Sequence, residues 1–404
     1  MNILFFNRSF YPDVEATGQF LTELCEDLTD KGHAVTVVAG RSYHLNNGSN
    51  AFLIKREKYK SINIVRAIGT TLPKQFLLFR LINLGTYFLS AFVSGFLVKH
   101  KVDIVITQTD PPVSGLLGIF FSKWYKAKFV YYCQDIFPDV GIITGELTNP
   151  ALNFLLKKVN LISFKKADKI ICIGESMGKR IIGKKINADK IAVIHNWADI
   201  KNLYPVKKED NEFIHSHNLL NKFVVMYSGN IGLTQNLEKL IAVANYFRNR
   251  EDIKFLIVGE GARKASLQKL VVKLNLLNVE FLPYQFKEEL RYSLSSADIH
   301  LIPFKKGLTG VMVPSKIYSI LACGRPFIAW VDSDSEISKI AERFKCGIIV
   351  PPDEIEDIIK GVEWAVNHHN ELSQMGENGR NAVIKYFDRK ISTDKFNKVL
   401  NEII

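Results

Sequence analysis

Short runs of apolar, often β-branched residues alternate with helical segments along the first half of the chain. The run at residues 1–7 precedes a stretch from Thr17 to Lys31 whose apolar side chains recur with helical spacing before Gly32. Similar runs follow at residues 33–40, 102–108, 127–135, 168–174 and 190–196. Continuous apolar runs of this length are typical of strands that are buried on both faces of a parallel sheet.

The alternation breaks at residues 196–220, where the sequence turns polar and irregular, and restarts near Lys222. Apolar runs then recur at residues 223–230, 253–261, 279–284, 298–304, 326–331 and 346–352. We therefore predict an α/β protein made of two doubly wound, Rossmann-like domains that face each other across a cleft. The predicted domains span residues 1–200 and 201–385, with a linker at 196–220. A C-terminal helix at about 386–404 is expected to pack back on the first domain.

One uncharged stretch raises the question of a membrane span. Residues 81–98 contain 18 uncharged side chains, and Lys74, Arg80, Lys99 and Lys101 flank them. Eighteen residues is the lower limit for a spanning helix, and a span here would separate the strands of an α/β domain. We predict instead a buried helix or one that lies on a membrane surface, where basic flanks suit anionic headgroups.

Charge is distributed unevenly along the 404 residues. The net charge is +12, and residues 1–200 carry 25 Lys and Arg against 16 Asp and Glu, a net +9. A basic first half is compatible with an anionic membrane, a nucleic acid or a phosphorylated substrate. The basic residues between Lys157 and Lys190 are equally compatible with a solvated helix face.

Cysteine usage and the first residues indicate the compartment. The five cysteines are scattered without a C-x-x-C pair, which indicates a reducing environment and argues against disulfides or a zinc knuckle. The N-terminal sequence MNILFFNRSF turns polar too early for a signal peptide. We expect a cytoplasmic protein.

Ligands of doubly wound sheets bind beyond the carboxyl ends of the strands, so the first domain's strand-to-helix loops are candidate sites. The loop NRSFYPDVEATGQF is too long for a dinucleotide turn, and Arg41 stands where an NAD enzyme has an acidic residue. Gly18 either lets a ligand approach the backbone or is a simple turn glycine. Gln134 and Asp135 end a strand and are expected to point into the cleft, where a carboxylate can orient or deprotonate a hydroxyl. Alternatively, Asp135 caps the next turn.

Glycine-rich loops also follow the strands of the second domain. In YSGNIGLTQNLEKL, Gly229 and Gly232 are expected to leave backbone N–H groups free for a phosphate. In IVGEGARKASL, Lys264 replaces the third glycine of a dinucleotide motif, so Gly259 and Gly261 are weak evidence of a nucleotide site.

A third loop, GLTGVMVPSKIYSILACGRP, predicts an anion site. Pro314 is expected at the first helical position and Gly324 just past the helix end. Ser315 and Lys316 would then face a phosphate or diphosphate together with the helix N-terminus. Asp332 to Glu336, DSDSE, is expected to cap a helix, and the histidines show no metal-binding spacing. We predict no metal.

Taken together and in order, these motifs resemble the GT-B glycosyltransferases of family 4 over nearly the whole chain. The motifs are YPDVEATGQFLTEL, KGHAVTVVAG, TDPPVSG, YYCQDIFPD, VIHNWAD, YSGNIG, VGEGARK, FLPY and VPSKIYSILACGRPFIA. The resemblance is strongest to the bacterial O-antigen and capsule enzymes that transfer N-acetyl-L-fucosamine from UDP.

The resemblance implies roles for individual residues. Gln134 and Asp135 fall at the reacting centre, where many relatives have His-Asp, and Lys316 faces the donor diphosphate with Ser315. The remaining residues implied for donor binding are Gly18, Gly229, Asn230, Gly232, Gln235, Glu260, Gly261 and Tyr284, the last in the loop that holds uracil.

This chain departs from the family at four positions. Asn230 and Gln235 stand where most members have an Arg and a Lys that bind the diphosphate. Val311 and Ser319 stand where most have two glutamates. The resemblance therefore does not carry over the ribose and sugar contacts or the retaining outcome of the reaction. Lys316 is the residue expected to supply the missing positive charge.

The resemblance implies an enzyme on the inner face of the plasma membrane that needs no metal cofactor. It would transfer an N-acetylated deoxyhexose, N-acetyl-L-fucosamine or a relative, from a UDP-sugar to an undecaprenyl-diphosphate-linked saccharide. A UDP-sugar 2-epimerase of the same architecture is one alternative. A non-enzymatic membrane- or RNA-binding protein is another, although Phe164 is the single aromatic residue among the basic residues 157–190, which is poor for base stacking. We predict no nucleic-acid partner.

Overall fold

The protein consists of two compact units. The computed structural model describes residues 1–13, 15–40, 54–70, 72 and 77–404. Unit 1 comprises Met1–His195, Gly310–Met312 and Ser392–Ile404, and unit 2 comprises Asn196–Thr309 and Val313–Ile391. The division after His195 lies five residues before the boundary expected from the sequence. Arg41 and Lys74, which entered the sequence predictions, lie outside the described residues.

Unit 1 contains an eight-stranded sheet in the order β3-β4-β2-β1-β5-β6-β7-β8. All neighbouring strands are parallel except β3 and β4. The six strands predicted from apolar runs are confirmed, whereas β3 and β4 were not predicted. The strands are β1 Asn2–Asn7, β2 Ala34–Ala39, β3 Lys55–Tyr59, β4 Ile62–Arg66, β5 Ile104–Gln108, β6 Lys128–Cys133, β7 Lys169–Cys172 and β8 Ile191–Val193.

Helices cover this sheet because their apolar faces match it. Helix α1 buries Leu21, Leu24, Cys25 and Leu28, and the prediction of a helix from Thr17 to Lys31 is confirmed to within one residue at each end. The helices of this part of the chain are α1 Ala16–Asp30, α2 Leu77–Gly95, α3 Gly115–Tyr125, α4 Asp139–Thr144, α5 Pro150–Lys166 and α6 Glu175–Gly183. A 3₁₀ turn spans Ala188–Lys190.

Helix α2 contains most of the uncharged stretch. Within the described part of the chain, no helix combines the length and the hydropathy that a bilayer crossing requires.

Unit 2 contains a six-stranded, fully parallel sheet in the order β11-β10-β9-β12-β13-β14. The six predicted runs form these six strands: β9 Phe223–Ser228, β10 Ile253–Val258, β11 Val279–Leu282, β12 Ile299–Pro303, β13 Phe327–Trp330 and β14 Gly347–Val350. Their side chains, including those of Tyr227 and Trp330, form a buried core with the surrounding helices.

The helices after β8 alternate with these strands and continue beyond them. They are α7 Glu212–Ser216, α8 Glu238–Tyr246, α9 Lys264–Lys273, α10 Leu290–Ser295, α11 Lys316–Ala322, α12 Glu336–Phe344, α13 Ile355–Asn367, α14 His369–Ala382 and α15 Arg389–Glu402. A 3₁₀ turn spans Lys208–Asp210 and a π-helical segment spans Val383–Phe387.

Residues 196–220 are not a plain linker, so that prediction is wrong. Asn211 caps α7 by accepting hydrogen bonds from the N–H groups of Phe213 and Ile214. Phe213, Ile214 and Leu219 are buried against Val224 and other strand residues of unit 2. Although the segment is mostly polar, these three apolar side chains attach it to the core of unit 2, and Trp197 and Leu203 are buried as well.

The predicted start of the helix in the third glycine-containing loop is also displaced. Helix α11 begins at Lys316, so Pro314 lies two residues before it rather than at its first position. The predicted end is close, because Cys323 follows the last helical residue and Gly324 has a φ of +63°.

Candidate functional site

The predicted donor-site residues of unit 2 meet at the carboxyl edge of its sheet. Parallel strands end at the same edge, so the loops after β9, β10 and β11 are neighbours there. The N–H of Gly229 donates to the carbonyl of Val258 at 2.9 Å, and the N–H of Gly259 donates to that of Leu282 at 2.9 Å. These hydrogen bonds continue the strand pairing into the loops and hold them together.

Two glycines allow the loops to lie this close. Gly229 has a φ of +140°, and a β-carbon there would lie 2.9 Å from Nζ of Lys316. Gly261 has a φ of +155°, and a β-carbon there would overlap the carbonyl oxygen of Ile231. Both conformations favour glycine. The glycines therefore serve close packing of the loops around Lys316 and Asn230.

The prediction that Gly229 and Gly232 offer free N–H groups is wrong. The N–H of Gly229 is bonded to Val258, as above, and the N–H of Gly232 donates to Oε1 of Gln235 at 3.2 Å. Gln235 thus closes its own loop with a neutral hydrogen bond at a position where the family resemblance implies a cation. Asn230 lies beside it, and its carbonyl accepts a 2.5 Å hydrogen bond from the Tyr227 hydroxyl.

Lys316 supplies the positive charge at this edge. Its ammonium nitrogen is buried, and no acceptor among the described residues lies within hydrogen-bonding distance of it. It lies 3.7 Å from the centroid of the Tyr227 ring, a cation–π contact that favours the charged form. Burial opposes the charge and lowers the Lys316 pKa to about 7. In its protonated form, Lys316 is therefore a cation with no hydrogen-bonded anionic partner among the described residues.

The other predicted donor residues surround this position less closely. Ser315 precedes α11, and its side chain makes no capping hydrogen bond. The Glu260 carboxylate forms a 2.6 Å ion pair with Lys264, the first residue of α9. Tyr284 is partly exposed, and its hydroxyl donates to the Glu260 carbonyl at 3.5 Å. Ser319 lies within α11, one turn beyond Lys316.

Unit 1 holds the predicted reacting pair just after β6. Gln134 is buried and Asp135 is half-buried, with Oδ1 of Asp135 enclosed and without a hydrogen-bond partner among the described residues. The Asp135 pKa is raised to about 6, mainly by burial, with a smaller contribution from the Asp110 charge and against the opposing effect of a hydrogen bond with Thr109. Such a carboxyl changes its protonation state close to physiological pH.

Asp135 does not cap the following helix, because Pro138 occupies the position before α4. The backbone of Asp135 instead forms an antiparallel bridge with Met312, and the N–H of Ile136 donates to the carbonyl of Val311 at 2.7 Å. Val311, which stands where the family resemblance implies a glutamate, is buried within unit 1. No carboxylate occupies that position.

Gly18 lies in the first turn of α1. A β-carbon there would meet the backbone of Ser9 and Phe10 at 3.3–3.4 Å, so the absence of a side chain lets the helix pack on the preceding loop. Gly18 is thus a helical glycine rather than a turn glycine, and its expected position near a bound ligand stays a prediction.

The DSDSE segment performs the capping role that was predicted for it. Ser335 accepts a hydrogen bond from the N–H of Ser338 at the start of α12. Asp332 holds the loop before α11 by accepting from the Gly307 N–H and the Thr309 hydroxyl, both at 3.0 Å. The described residues contain no group of three or more His, Cys, Asp or Glu side chains placed to hold a metal ion.

Two residues of the site were missed by the sequence prediction. Tyr227 lies under Lys316, and the apolar run around it indicated only a strand. Thr109 follows the neighbouring strand β5, and its hydroxyl accepts a hydrogen bond from the Asp135 N–H. It belongs to the TDPPVSG motif, which indicated only the family resemblance. The adjacency of β5 and β6 would have indicated Thr109, because the carboxyl ends of neighbouring parallel strands meet.

Comparison with known proteins identifies the fold and the family of this chain. The chain is 27% identical to the putative colanic acid biosynthesis glycosyl transferase WcaI of Escherichia coli K12 over 378 residues, 91% of this chain and 92% of that protein. It is also 27% identical to the probable glycosyltransferase WbjE of Pseudomonas aeruginosa over 74% of each chain. Its structure matches that of HepE from Anabaena, crystallised with UDP and glucose, with a TM-score of 0.75, 15% identity and complete coverage of both chains.

Two family models match the chain in succession. The model for glycosyltransferase family 4 matches residues 17–202, and the model for glycosyl transferases group 1 matches residues 209–382. Together they span most of both units. The chain is thus an enzyme with the GT-B fold and belongs to the group 1 glycosyltransferases of family 4.

Proposed function

We propose that this glycosyltransferase moves a sugar from a UDP-sugar to a lipid-diphosphate-linked saccharide during synthesis of a surface polysaccharide. The sugar is an N-acetylated deoxyhexose such as N-acetyl-L-fucosamine, as the sequence resemblance implies. The observation that carries the proposal is the buried Lys316 ammonium, which has no acceptor among the described residues. The proposal is supported by the Escherichia coli relative, a putative colanic acid biosynthesis glycosyl transferase, and by the UDP held by HepE.

The Lys316 site suits a diphosphate. A buried cation without a partner is unfavourable, and an anion that replaces the lost hydration relieves that cost. The surrounding loops offer neutral polar groups, Asn230 and Gln235, which hydrogen-bond phosphate oxygens without adding charge. Lys316 is then the main positive charge that the donor diphosphate meets in unit 2.

The same cation assists bond cleavage. When the bond between the sugar and UDP breaks, negative charge builds up on the departing diphosphate. A fixed ammonium in a site shielded from water stabilises this charge more than it stabilises the intact donor. We expect Lys316 to supply this stabilisation without a divalent cation, so transfer should persist in EDTA.

We propose that Asp135 acts on the acceptor, the second substrate of the transfer. With a pKa raised to about 6, its carboxyl is mostly ionised at neutral pH and basic enough to accept a proton from, or orient, a hydroxyl group. We assign it to the acceptor hydroxyl, with Gln134 as its neighbour at the strand end.

Ligand-dependent stabilisation tests the donor assignment. A ligand that binds only the native state raises its stability by about 2.7 kcal/mol at 100 times its Kd. UDP and UDP-N-acetylated sugars should raise the Tm of the wild type, whereas CMP, which lacks a diphosphate, should not. Lys316→Gln should lose the shift, while Lys273→Gln, at the exposed end of α9, should keep it. Equal UDP-induced Tm shifts in Lys316→Gln and Lys273→Gln would rule out Lys316 as the diphosphate site.

Transfer itself is tested with a radiolabelled donor and a short-chain lipid-diphosphate saccharide. Product on the lipid supports the proposal. Conversion of the UDP-sugar to its 2-epimer without acceptor, together with no labelled lipid, would favour the epimerase alternative. Transfer to a free sugar but not to the lipid-linked one would overturn the acceptor assignment.

A further inference from the structure

Three helices of unit 1 carry basic residues without acidic ones. Helices α2, α3 and α5 contain six Lys and Arg residues and no Asp or Glu. Across the whole chain the ratio is 53 to 41, so this depletion is local. The positive charge of these helices is not neutralised by acidic residues of their own.

The outer faces of two of these helices are apolar as well. On α3, Leu116, Phe120 and Trp124 are spaced four residues apart and are all exposed, Trp124 by 59%. On α2, four exposed residues share one face, Leu78, Leu81, Leu89 and Val93, with Leu89 exposed by 66%. Helical spacing that normally marks a buried face here marks a face in contact with solvent.

The apolar faces of α2 and α3 adjoin each other. The rings of Phe92 and Phe120 lie 4.8 Å apart, and those of Phe96 and Trp124 lie 5.0 Å apart, which joins the end of α2 to α3. Helix α5 packs against α3 on its other side, since a β-carbon on Gly115 would overlap the Ser163 side chain. We call this surface, formed by α2, α3 and α5, the aromatic–lysine face.

Helix α5 extends the face with alternating apolar and basic side chains. Phe154, Leu155 and Ile162 are exposed, as are the lysines of the same helix, Lys157, Lys158, Lys165 and Lys166. The Lys158 ammonium lies 5.2 Å from the centroid of the Phe154 ring. A side chain of this kind places its apolar stem against an apolar phase and its charge at the boundary with water.

A pocket of about 310 Å³ opens beside this face. Lys123 and Lys166 line it together with Asp168, and the Asp168 carboxylate already accepts a 2.8 Å hydrogen bond from the Phe129 N–H. The two lysines give the pocket positive character, which fits a phosphate group at the edge of an apolar surface.

We infer that the aromatic–lysine face is the surface by which the enzyme docks on an anionic lipid bilayer. Large exposed apolar patches mark interaction surfaces. Trp and Phe favour the headgroup region, while lysines favour anionic headgroups. A second copy fits poorly, because a two-fold contact would bring identical patches together and place unneutralised positive charges opposite each other. The inference deepens the proposed function, since it names the surface that would bring unit 1 to a lipid-linked acceptor.

Vesicle flotation of the full chain tests the inference without any need for catalysis. We expect the wild type to float with phosphatidylcholine–phosphatidylglycerol vesicles and to stay in solution with pure phosphatidylcholine. Equal binding to both, or to neither, would overturn the inference. Transfer to a short-chain acceptor in solution is measured in parallel. A wild type that transfers but does not float refutes only the docking surface, and one that floats but does not transfer refutes only the proposed function.

Matched variants locate the surface. Leu89→Gln with Trp124→Gln should weaken partitioning at least about tenfold, because two large side chains no longer leave water. Val272→Gln with Leu277→Gln, equally exposed on unit 2, should leave partitioning unchanged. Lys157→Gln with Lys165→Gln should weaken partitioning by about fivefold for each lysine, while Lys269→Gln with Lys273→Gln should not. Equal effects in test and control pairs would refute the assignment.

Two further measurements exclude other occupants and misfolding. Thermal unfolding should give the same Tm for the wild type and all variants, since every substituted side chain is exposed. Sedimentation velocity without vesicles should show one species. A dimer that Leu89→Gln with Trp124→Gln dissociates would assign the face to a second copy and overturn the bilayer proposal.

Discussion

The ammonium nitrogen of Lys316 lies 3.7 Å from the centroid of the Tyr227 ring and contacts no acceptor among the described residues. The contact partly replaces the hydration that burial removes, without neutralising the charge. The ring and the Gly229 loop thus hold the Lys316 amine in place before any ligand arrives. An amine positioned in this way needs no rearrangement to stabilise negative charge once it is protonated.

Replacing Lys316 with methionine keeps most of the side-chain volume and removes the charge. We expect Lys316→Met to lower kcat by about 100-fold to 1,000-fold, the range for loss of one preorganised stabilising group. Steady-state transfer assays measure this, and Lys273→Met provides the control for removal of a lysine elsewhere in unit 2. A variant with wild-type kcat and only a raised KM would limit Lys316 to ground-state binding.

The pH dependence of stability reports the burial of Lys316. The folded-state pKa of about 7 lies below the ordinary value of 10.5, so between these values the unfolded chain binds more protons. The free energy of unfolding contributed by this group therefore rises with pH from 7 to 10.5, by up to about 1.4 kcal/mol per pH unit. Below pH 7 its unfavourable contribution is constant. Denaturant titrations of wild type and Lys316→Met at several pH values should give curves that converge toward high pH. Parallel curves would contradict the lowered pKa.

Binding of UDP should return the proton to Lys316. At pH 8 the free site is mostly neutral, and a bound diphosphate favours the charged form. Calorimetric titrations in buffers of different ionisation enthalpy should show net uptake of up to about one proton in the wild type. Lys316→Met should show none of this uptake. Equal uptake in both proteins would assign the proton to another group.

Asp135 should control the acidic limb of the activity profile. Its pKa of about 6 predicts that transfer falls as the pH drops below 6, and Asp135→Asn should lower kcat by roughly 100-fold to 10,000-fold.

The same carboxyl should also make stability depend on pH. Because the folded-state pKa of Asp135 is raised, the stability that this carboxyl contributes is present below the ordinary Asp pKa of 3.8 and is lost as the pH rises through 6. Asp135→Asn should therefore raise the Tm by a few degrees at pH 8 and leave it unchanged below pH 4.

The control for this substitution is Asp334→Asn, an exposed position in unit 2, which should alter neither Tm nor rate. Retention of full activity by Asp135→Asn would remove Asp135 from the mechanism.

Gly261 should tolerate no side chain. Gly261→Ala forces a β-carbon onto the Ile231 carbonyl and strains the backbone, and we expect a loss of about 2 kcal/mol or more in stability together with weaker UDP binding. Gly307→Ala, also at positive φ but with open space around it, should show only the backbone cost of about 1 kcal/mol. Similar losses in the two variants would show that loop packing is unimportant.

The strands could be predicted where burial on both faces makes the sequence continuously apolar. Strand β3, KREKY, was not predicted because it lies at the sheet edge and is mostly polar. Neither an apolar run nor a regular apolar–polar alternation indicates a strand there. Strand β4, INIVR, is short and follows it directly. Residues 196–220 were misjudged because their buried apolar side chains, such as Trp197 and Ile214, are scattered among polar residues and show no regular period.

A candidate region for the site could be predicted from the sequence, but its geometry could not. Glycine spacing and the positions of strand ends brought Gly229, Gly261 and Lys316 into one candidate region. The burial of the Lys316 ammonium depends on Tyr227 and on a loop distant in sequence, which no local pattern encodes. The prediction of free N–H groups was wrong for a similar reason. The pairing of β9 with β10 continues one residue beyond the end of β9, so the N–H of Gly229 is already used.

The assignment of residues 392–404 to unit 1 has a consequence for synthesis. Phe396 packs its ring 5.2 Å from that of Tyr132, Lys31 pairs with Asp394 at 2.8 Å, and His33 hydrogen-bonds Asn397 at 2.6 Å. A nascent chain that has released residues 1–195 from the ribosome still lacks these contacts, whereas all of unit 2 emerges before them. The unit that is translated first is thus the last to be completed, and Tyr132 stays uncovered until translation passes Phe396.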